Sequence, residues 1–129
     1  MPNGESRLSL ALECLERTGI LSLRVTGVSM VPRIPPRSYV QIRRVPAESL
    51  AEGDIVLART ASGVRLHRLI AIEGSAIEGP HYITRGDAND TADPPVPAAS
   101  ILGVLDSVET PTWRDRLERF WTRLALSAA

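Results

Sequence analysis

Hydrophobic positions along the chain follow two different periods, and the changes between them divide the sequence into three parts. Near the start, apolar side chains recur at helical spacing before a glycine stop at Gly19: they are Leu8, Ala11, Leu12 and Leu15. From about residue 21 to residue 110, short β-branched or alternating runs are separated by glycine and proline, which predicts strands and tight turns. The pattern therefore predicts an amphipathic helix in residues 1–20, packed on a β domain in residues 21–110.

Six short runs carry the strand pattern, and the turn signals between them are dense. The runs read LRVTG, SYVQIRR, DIVLART, VRLHRLIAI, HYITRG and ILGVLDSVE. Ser62-Gly63 between two of them is typical of a hairpin turn, and residues 93–100 form an extended connection stiffened by proline. We expect a mainly β (α+β) domain, built as a small coiled antiparallel sheet or a barrel-like structure.

Residues 111–129 return to helical spacing, with Pro111 ending the last strand and Thr112 placed to cap a helix. One face of this predicted amphipathic helix is apolar, and most of its arginines lie off that face. The apolar face contains Trp113, Leu117, Phe120, Trp121 and Leu124. Three roles remain open for it: packing on the domain's own core, contact with an anionic membrane surface, or docking into a partner protein.

Composition narrows the class of protein. The chain has 129 residues, 43% hydrophobic and 23% charged, with a formal net charge of +0, which suits one globular domain and gives no overall basic field for nucleic acid. The single cysteine, Cys14, excludes an internal disulfide, and two histidines with scattered carboxylates predict no metal site and no cofactor. No stretch is long and apolar enough to span a bilayer, and the N-terminus lacks the pattern of a secretory signal. We therefore expect a cytoplasmic or peripherally membrane-associated protein.

The basic residues restrict the possible chemistry. All fifteen are arginine, and arginine cannot be deprotonated under working conditions, so no mechanism with a lysine general base is open to this chain. Only His67 and His81 offer a nitrogen base near neutral pH. Of the two, His81 has no motif around it.

Four short segments of the β region are each commonplace alone but specific in their order. They are GVSMVP (27–32), GDIV (53–56), HRLIAI (67–72) and RGDANDTAD (85–93). Together they resemble the type I signal peptidase family, whose wider clan also contains self-cleaving repressors of the same β fold. The resemblance covers roughly residues 24–105 and implies a signal-peptidase-type domain. With no lysine in the chain, it implies the form of the family in which histidine serves as the base.

The resemblance also implies roles for individual residues. Ser29 would be the nucleophile and His67 the base that takes its proton and returns it to the leaving amine. Asp93 sits where the family places the catalytic acid, with Asp87 in the Gly-Asp turn as a structural support; either carboxylate remains a candidate for orienting the imidazole. Gly27, Met30 and Pro32 would shape the substrate side of the site.

Three features depart from the family pattern. Gly27 stands where signal peptidases usually carry a small hydroxyl that helps to bind the oxyanion, and Arg37-Ser38 replaces the Gly-Asp that commonly follows the nucleophile loop. The third departure is that we find no segment corresponding to the family's membrane anchor.

The prediction is a serine endopeptidase that cleaves an extended peptide by a Ser-His(-Asp) mechanism, with a peptide or protein as its partner. The alternative is a weak or inactive peptide-binding module on the same fold. A self-cleaving regulator is less favoured, because the chain has no recognisable DNA-binding region.

Overall fold

A computed structural model of the chain describes residues 4–110, with side chains from residue 7 onward. One helix and seven strands make up this part, together with two short 3-10 turns at Ala47–Ser49 and Ala98–Ser100. The elements are α1 (Gly4–Thr18), β1 (Ile20–Arg24), β2 (Tyr39–Arg43), β3 (Ile55–Thr60), β4 (Gly63–Ser75), β5 (Gly79–Arg85), β6 (Val96–Pro97) and β7 (Ile101–Glu109). The predicted C-terminal helix, with its apolar face, lies outside the described residues.

All seven strands join one antiparallel sheet in the order β1-β2-β7-β3-β4-β5-β6. The prediction of a mainly β domain with an antiparallel sheet is confirmed. The sheet is open, however, because its outer strands β1 and β6 do not pair with each other. The barrel-like alternative is therefore corrected to an open sheet whose last strand, β6, is only two residues long.

Two local predictions shift in the structure. The hairpin turn falls one residue earlier than expected, because Thr60 pairs with Gly63 and leaves Ala61 and Ser62 as the loop. The first strand ends at Arg24 rather than continuing to Gly27. Beyond it, the Val25 N–H donates to the Ser38 carbonyl at 2.9 Å, and the Arg37 N–H donates to the Val25 carbonyl at 2.7 Å. These bonds fix the chain just before the serine loop.

Hydrophobic residues pack on both faces of the sheet. Adjacent residues of β3 point in opposite directions, so Leu57 enters one cluster and Val56 the other. The larger cluster lies under α1, where Leu15 is 3% exposed. It contains Leu15, Leu21, Met30, Ile34, Val40, Ile42, Ile55 and Leu57. The smaller cluster contains Leu50, Val56, Leu69 and Tyr82, and its face of the sheet is also the one to which His67 belongs.

Within residues 4–110, no helix combines the length and apolar character that crossing a membrane requires.

Candidate active site

Ser29 lies in the loop between β1 and β2, where two turns hold the backbone. The Val31 N–H donates to the Val28 carbonyl at 3.2 Å, and the Ile34 N–H donates to the Met30 carbonyl at 2.8 Å. Met30 is buried in the larger cluster at 2% exposure, while Ser29 remains partly exposed. Burial of Met30 thus anchors the loop and leaves the Ser29 hydroxyl at the surface of the domain.

His67 lies in β4 and is nearly buried, at 7% exposure. Its Nε2 is 3.0 Å from Ser29 Oγ, and its Nδ1 is 2.6 Å from Asp93 Oδ2. Both distances are within hydrogen-bond range, so the three side chains form a continuous hydrogen-bonded line.

Asp93 is positioned by β5. Its backbone N–H donates to the Thr84 carbonyl at 2.8 Å, and its Oδ2 accepts a hydrogen bond from Thr84 Oγ1 at 2.7 Å. Since Thr84 already donates to this oxygen, Asp93 acts as an acceptor, and Nδ1 of His67 carries the proton in the contact between them. Nε2 then presents its lone pair to the Ser29 hydroxyl, which is the tautomer that a general base requires.

Asp87 lies elsewhere. Its carboxylate makes a two-point contact with Arg68, from Nε to Oδ1 and from the second terminal nitrogen to Oδ2, each at 2.8 Å. Hydrogen bonds from Arg68 lower the pKa of Asp87 below its ordinary value, and the same contact raises the pKa of Arg68. Asp93, not Asp87, is therefore the carboxylate that contacts His67.

The Asp87 turn nevertheless supports the serine loop. The Ala88 N–H donates to the Ser29 carbonyl at 2.8 Å, and the Asp87 N–H contacts Met30 Sδ at 3.4 Å. A Cβ on Gly86 would lie 2.8 Å from the Ser29 carbonyl oxygen, so this close approach requires glycine. The Arg68–Asp87 pair fixes the turn that holds Ser29 in place.

A groove with a volume of about 440 Å³ runs beside this line of side chains. Residues 23–27 form one wall, residues 64–67 form the other, and Ser29 and Met30 also line it. Gly27 lines the groove, and a Cβ added there would meet no atom within 4 Å. Pro32 lies farther along the loop and is not among the lining residues.

A family model described as peptidase S24-like matches residues 1–78 of the chain, which is more than half of its length. The chain belongs to the peptidase S24-like family. This confirms the resemblance to the clan that signal peptidases share with self-cleaving repressors. The matched stretch includes Ser29 and His67 and ends before Asp93. No curated protein matches the chain.

Three side chains of this S24-like domain were not predicted from the sequence as parts of the site. Thr84 donates to Asp93, Arg68 pairs with Asp87, and Arg65 Nε lies 3.2 Å from Asp93 Oδ2. The alternation of side chains along a strand could have indicated part of this arrangement, because it puts Arg65 on the same face of β4 as His67 and puts Arg68 on the opposite face. Their partners arise from the path of residues 86–93 and have no such periodicity.

His81 lies in β5 opposite Glu73 and Pro97, in a part of the sheet that contributes nothing to the groove lining. Within the described part of the chain, no group of three or more His, Cys, Asp or Glu side chains is suited to hold a metal ion.

Proposed function

We propose that this S24-like domain is a serine endopeptidase of the signal-peptidase type, soluble or peripherally attached to a membrane, with Ser29, His67 and Asp93 as its catalytic residues. The observation that carries the proposal is the hydrogen-bonded line from Ser29 Oγ through both ring nitrogens of His67 to Asp93. Nucleophile, base and orienting carboxylate stand in the order that serine hydrolysis requires.

In the first half of the reaction, Ser29 Oγ forms a bond to the carbonyl carbon of the scissile peptide. Its proton passes to Nε2 of His67, and Asp93 stabilises the resulting imidazolium through Nδ1. The imidazolium then gives this proton to the leaving amine as the C–N bond breaks, which leaves an acyl group on Ser29. In the second half, water attacks the acyl carbon while His67 takes its proton, and the same proton returns to Ser29 Oγ as the acid product leaves.

The developing oxyanion needs hydrogen-bond donors that are not already committed. Among residues 4–110, the Ser29 N–H donates no hydrogen bond, so it is free to face the substrate carbonyl. Thr26 also lines the groove and is the nearby hydroxyl of the same loop. Gly27 adds no side-chain donor.

The groove suits an extended peptide because both of its walls have strand edges with no strand partner among residues 4–110. The strand β1 is at the edge of the sheet, and among the described strands only β2 is its neighbour. The pairing of β4 with β5 begins at Arg68, so within the described part of the chain residues 63–67 are paired with β3 alone. A substrate strand inserted between these edges would gain backbone hydrogen bonds on both sides and bring its scissile bond to Ser29.

The test is cleavage of a pooled library of ten-residue peptides by the full chain, with products identified by mass spectrometry. We expect new termini with the unsubstituted protein and a loss of rate on the order of 10³-fold or more with Ser29→Ala. Ser22→Ala is the matched control, because Ser22 is an exposed serine in β1 outside the groove lining, and it should cleave like the unsubstituted protein. Equal product from the Ser29→Ala variant would refute the proposed mechanism.

A peptide-binding module without turnover is the second candidate, and the absence of a side-chain donor at Gly27 favours it. It predicts that peptides bind equally to the unsubstituted protein and to Ser29→Ala, and that no new termini form on long incubation.

A further inference from the structure

Arg65 is a partly buried arginine whose guanidinium makes no hydrogen bond to the described residues. Its side chain is 23% exposed and its Nε lies 3.2 Å from Asp93 Oδ2. Within residues 4–110 this contact is electrostatic only, because the buried Nε makes no hydrogen bond to any of them. That same carboxylate oxygen already accepts hydrogen bonds from His67 Nδ1 and Thr84 Oγ1. Arg65 is therefore held beside Asp93 by charge, with none of its donors satisfied there.

Arg65, whose guanidinium donors make no hydrogen bond to the described residues, also lines the groove. Arg65 is among the groove-lining residues, and its two terminal nitrogens donate no hydrogen bond to any part of the chain that the structure describes. The described groove lining contains a second arginine, Arg24, and no aspartate or glutamate. Arg24 is held differently, with its guanidinium 5.9 Å from the centre of the Tyr39 ring. An acidic side chain entering the groove would be attracted by Arg65, and the carboxylate nearest to that guanidinium, Asp93, is not among the lining residues.

The position of Arg65 along β4 fixes where such a side chain would stand. Arg65 precedes His67 by two residues, so both side chains leave the same face of the strand. A peptide strand added along residues 63–67 would present every second side chain to that face. The substrate residue beside Arg65 then lies about two positions from the scissile bond, next to the wall formed by residues 64–67.

We propose that Arg65 is a specificity-determining residue whose guanidinium binds an aspartate or glutamate of the substrate about two positions from the scissile bond. A guanidinium offers two parallel N–H groups that match the two oxygens of a carboxylate. The inference rests on the proposed function, because it takes an extended peptide as the occupant of the groove.

The experiment uses synthetic ten-residue peptides of alanine and serine, each with one aspartate at a different position and an asparagine twin. Binding is measured by fluorescence anisotropy with the full-length Ser29→Ala protein, and cleavage as kcat/KM with the unsubstituted protein. We expect aspartate at one position to improve both quantities about tenfold over its twin, the gain of one charge-assisted hydrogen-bond pair. The gain should shrink as sodium chloride is raised.

Three variants assign the preference to Arg65. Arg65→Gln should bring the aspartate-to-asparagine ratio to about one, and Arg65→Glu should favour a peptide with arginine at that position. Arg59→Gln removes the same charge from an exposed residue of β3 that is not part of the groove lining, and it should keep the full ratio. Circular dichroism of each variant checks that it is folded.

The comparison of aspartate and asparagine peptides uses the unsubstituted protein, so it tests the proposal even if Arg65→Gln misfolds. A ratio of about one at every position in the unsubstituted protein overturns it, as does a ratio that survives in Arg65→Gln. An aspartate preference in binding without cleavage would refute the proposed peptidase and support the role of Arg65. Cleavage without any aspartate preference would support the proposed peptidase and refute the role of Arg65.

Discussion

Replacing Asp87 with asparagine removes one charge from the pair that holds the turn beside Ser29. Two hydrogen bonds of 2.8 Å join Asp87 to Arg68, whose side chains are 21% and 33% exposed. Hydrogen bonds to charged groups contribute about 1.5–3 kcal/mol, whereas exposed ion pairs contribute about 0.2–1 kcal/mol. Because this pair is partly buried and has two-point geometry, we expect Asp87→Asn to lower the free energy of unfolding by about 2 kcal/mol.

The matched control is Asp106→Asn, the same substitution in a more exposed pair. Asp106 contacts Arg43 through a single hydrogen bond of 3.4 Å, with the two side chains 44% and 55% exposed. We expect this variant to lose about 0.5 kcal/mol or less. Urea unfolding followed by far-ultraviolet circular dichroism measures both, with the slope of free energy against urea unchanged. Equal losses in the two variants would refute the reasoning that burial and two-point geometry strengthen the Asp87 pair.

The pH dependence of this difference has a defined sign. Arg68 lowers the pKa of Asp87 in the folded state, so the folded protein binds a proton at this carboxyl less readily than the unfolded chain does. The stabilisation is therefore complete above the unfolded value of about 3.9 and is lost as pH falls through the lower folded value. The stability gap between the unsubstituted protein and Asp87→Asn should be constant from about pH 5 to 7 and close below about pH 4. A gap that widens toward low pH would contradict this assignment.

Three further substitutions and one control test the surroundings of the site. Arg37 has a φ of 70°, where a side chain costs about 1–2 kcal/mol, so Arg37→Gly should raise the free energy of unfolding by about 1 kcal/mol in urea unfolding; a loss would contradict this explanation. Gly86→Ala would place a Cβ 2.8 Å from the Ser29 carbonyl oxygen, so it should lower the free energy of unfolding by more than about 1 kcal/mol. Gly27→Ala is the control, because its Cβ would meet no described atom within 4 Å, and it should lower that free energy by less than about 0.5 kcal/mol. The opposite order would refute the close approach at Gly86. Thr84→Val removes the hydroxyl that donates to Asp93 at a buried position and should lower kcat about tenfold with little change in KM; an unchanged kcat would show that this hydrogen bond does not help to orient His67.

The short alternating runs predict a mainly β domain with an antiparallel sheet, as the structure has. The family resemblance carried by four short motifs implies that Ser29 and His67 lie together, and they are 3.0 Å apart. It left Asp93 and Asp87 open, because both lie in one polar segment that follows β5. The choice depends on how residues 86–93 fold back, with the Asp93 N–H bonded to the Thr84 carbonyl. That path is set by tertiary contacts and leaves no periodic trace in the sequence.

Arg37 stands where the family resemblance implies a glycine, and its backbone conformation goes against the preference of its side chain. The backbone there adopts a left-handed conformation although an arginine side chain disfavours it. The neighbouring bonds from Arg37 and Val25 explain why, since they tie this turn to the strand before the serine loop. Ser38 is fully buried beside it, with its hydroxyl donating to the Pro35 carbonyl at 2.6 Å. A local rule read from the sequence could not anticipate that these contacts outweigh the strain.

The central claim is that Ser29 and His67 act as one catalytic unit, and a double-mutant cycle on peptide cleavage tests it most directly. The quantity is kcat/KM for one cleaved peptide with the unsubstituted protein, Ser29→Ala, His67→Ala and the double variant. If two residues act as one unit, removing either one already removes the contribution of the other. We therefore predict that kcat/KM of the double variant is about equal to that of the slower single variant. Losses that multiply in the double variant, or single variants that cleave at the unsubstituted rate, would contradict the claim.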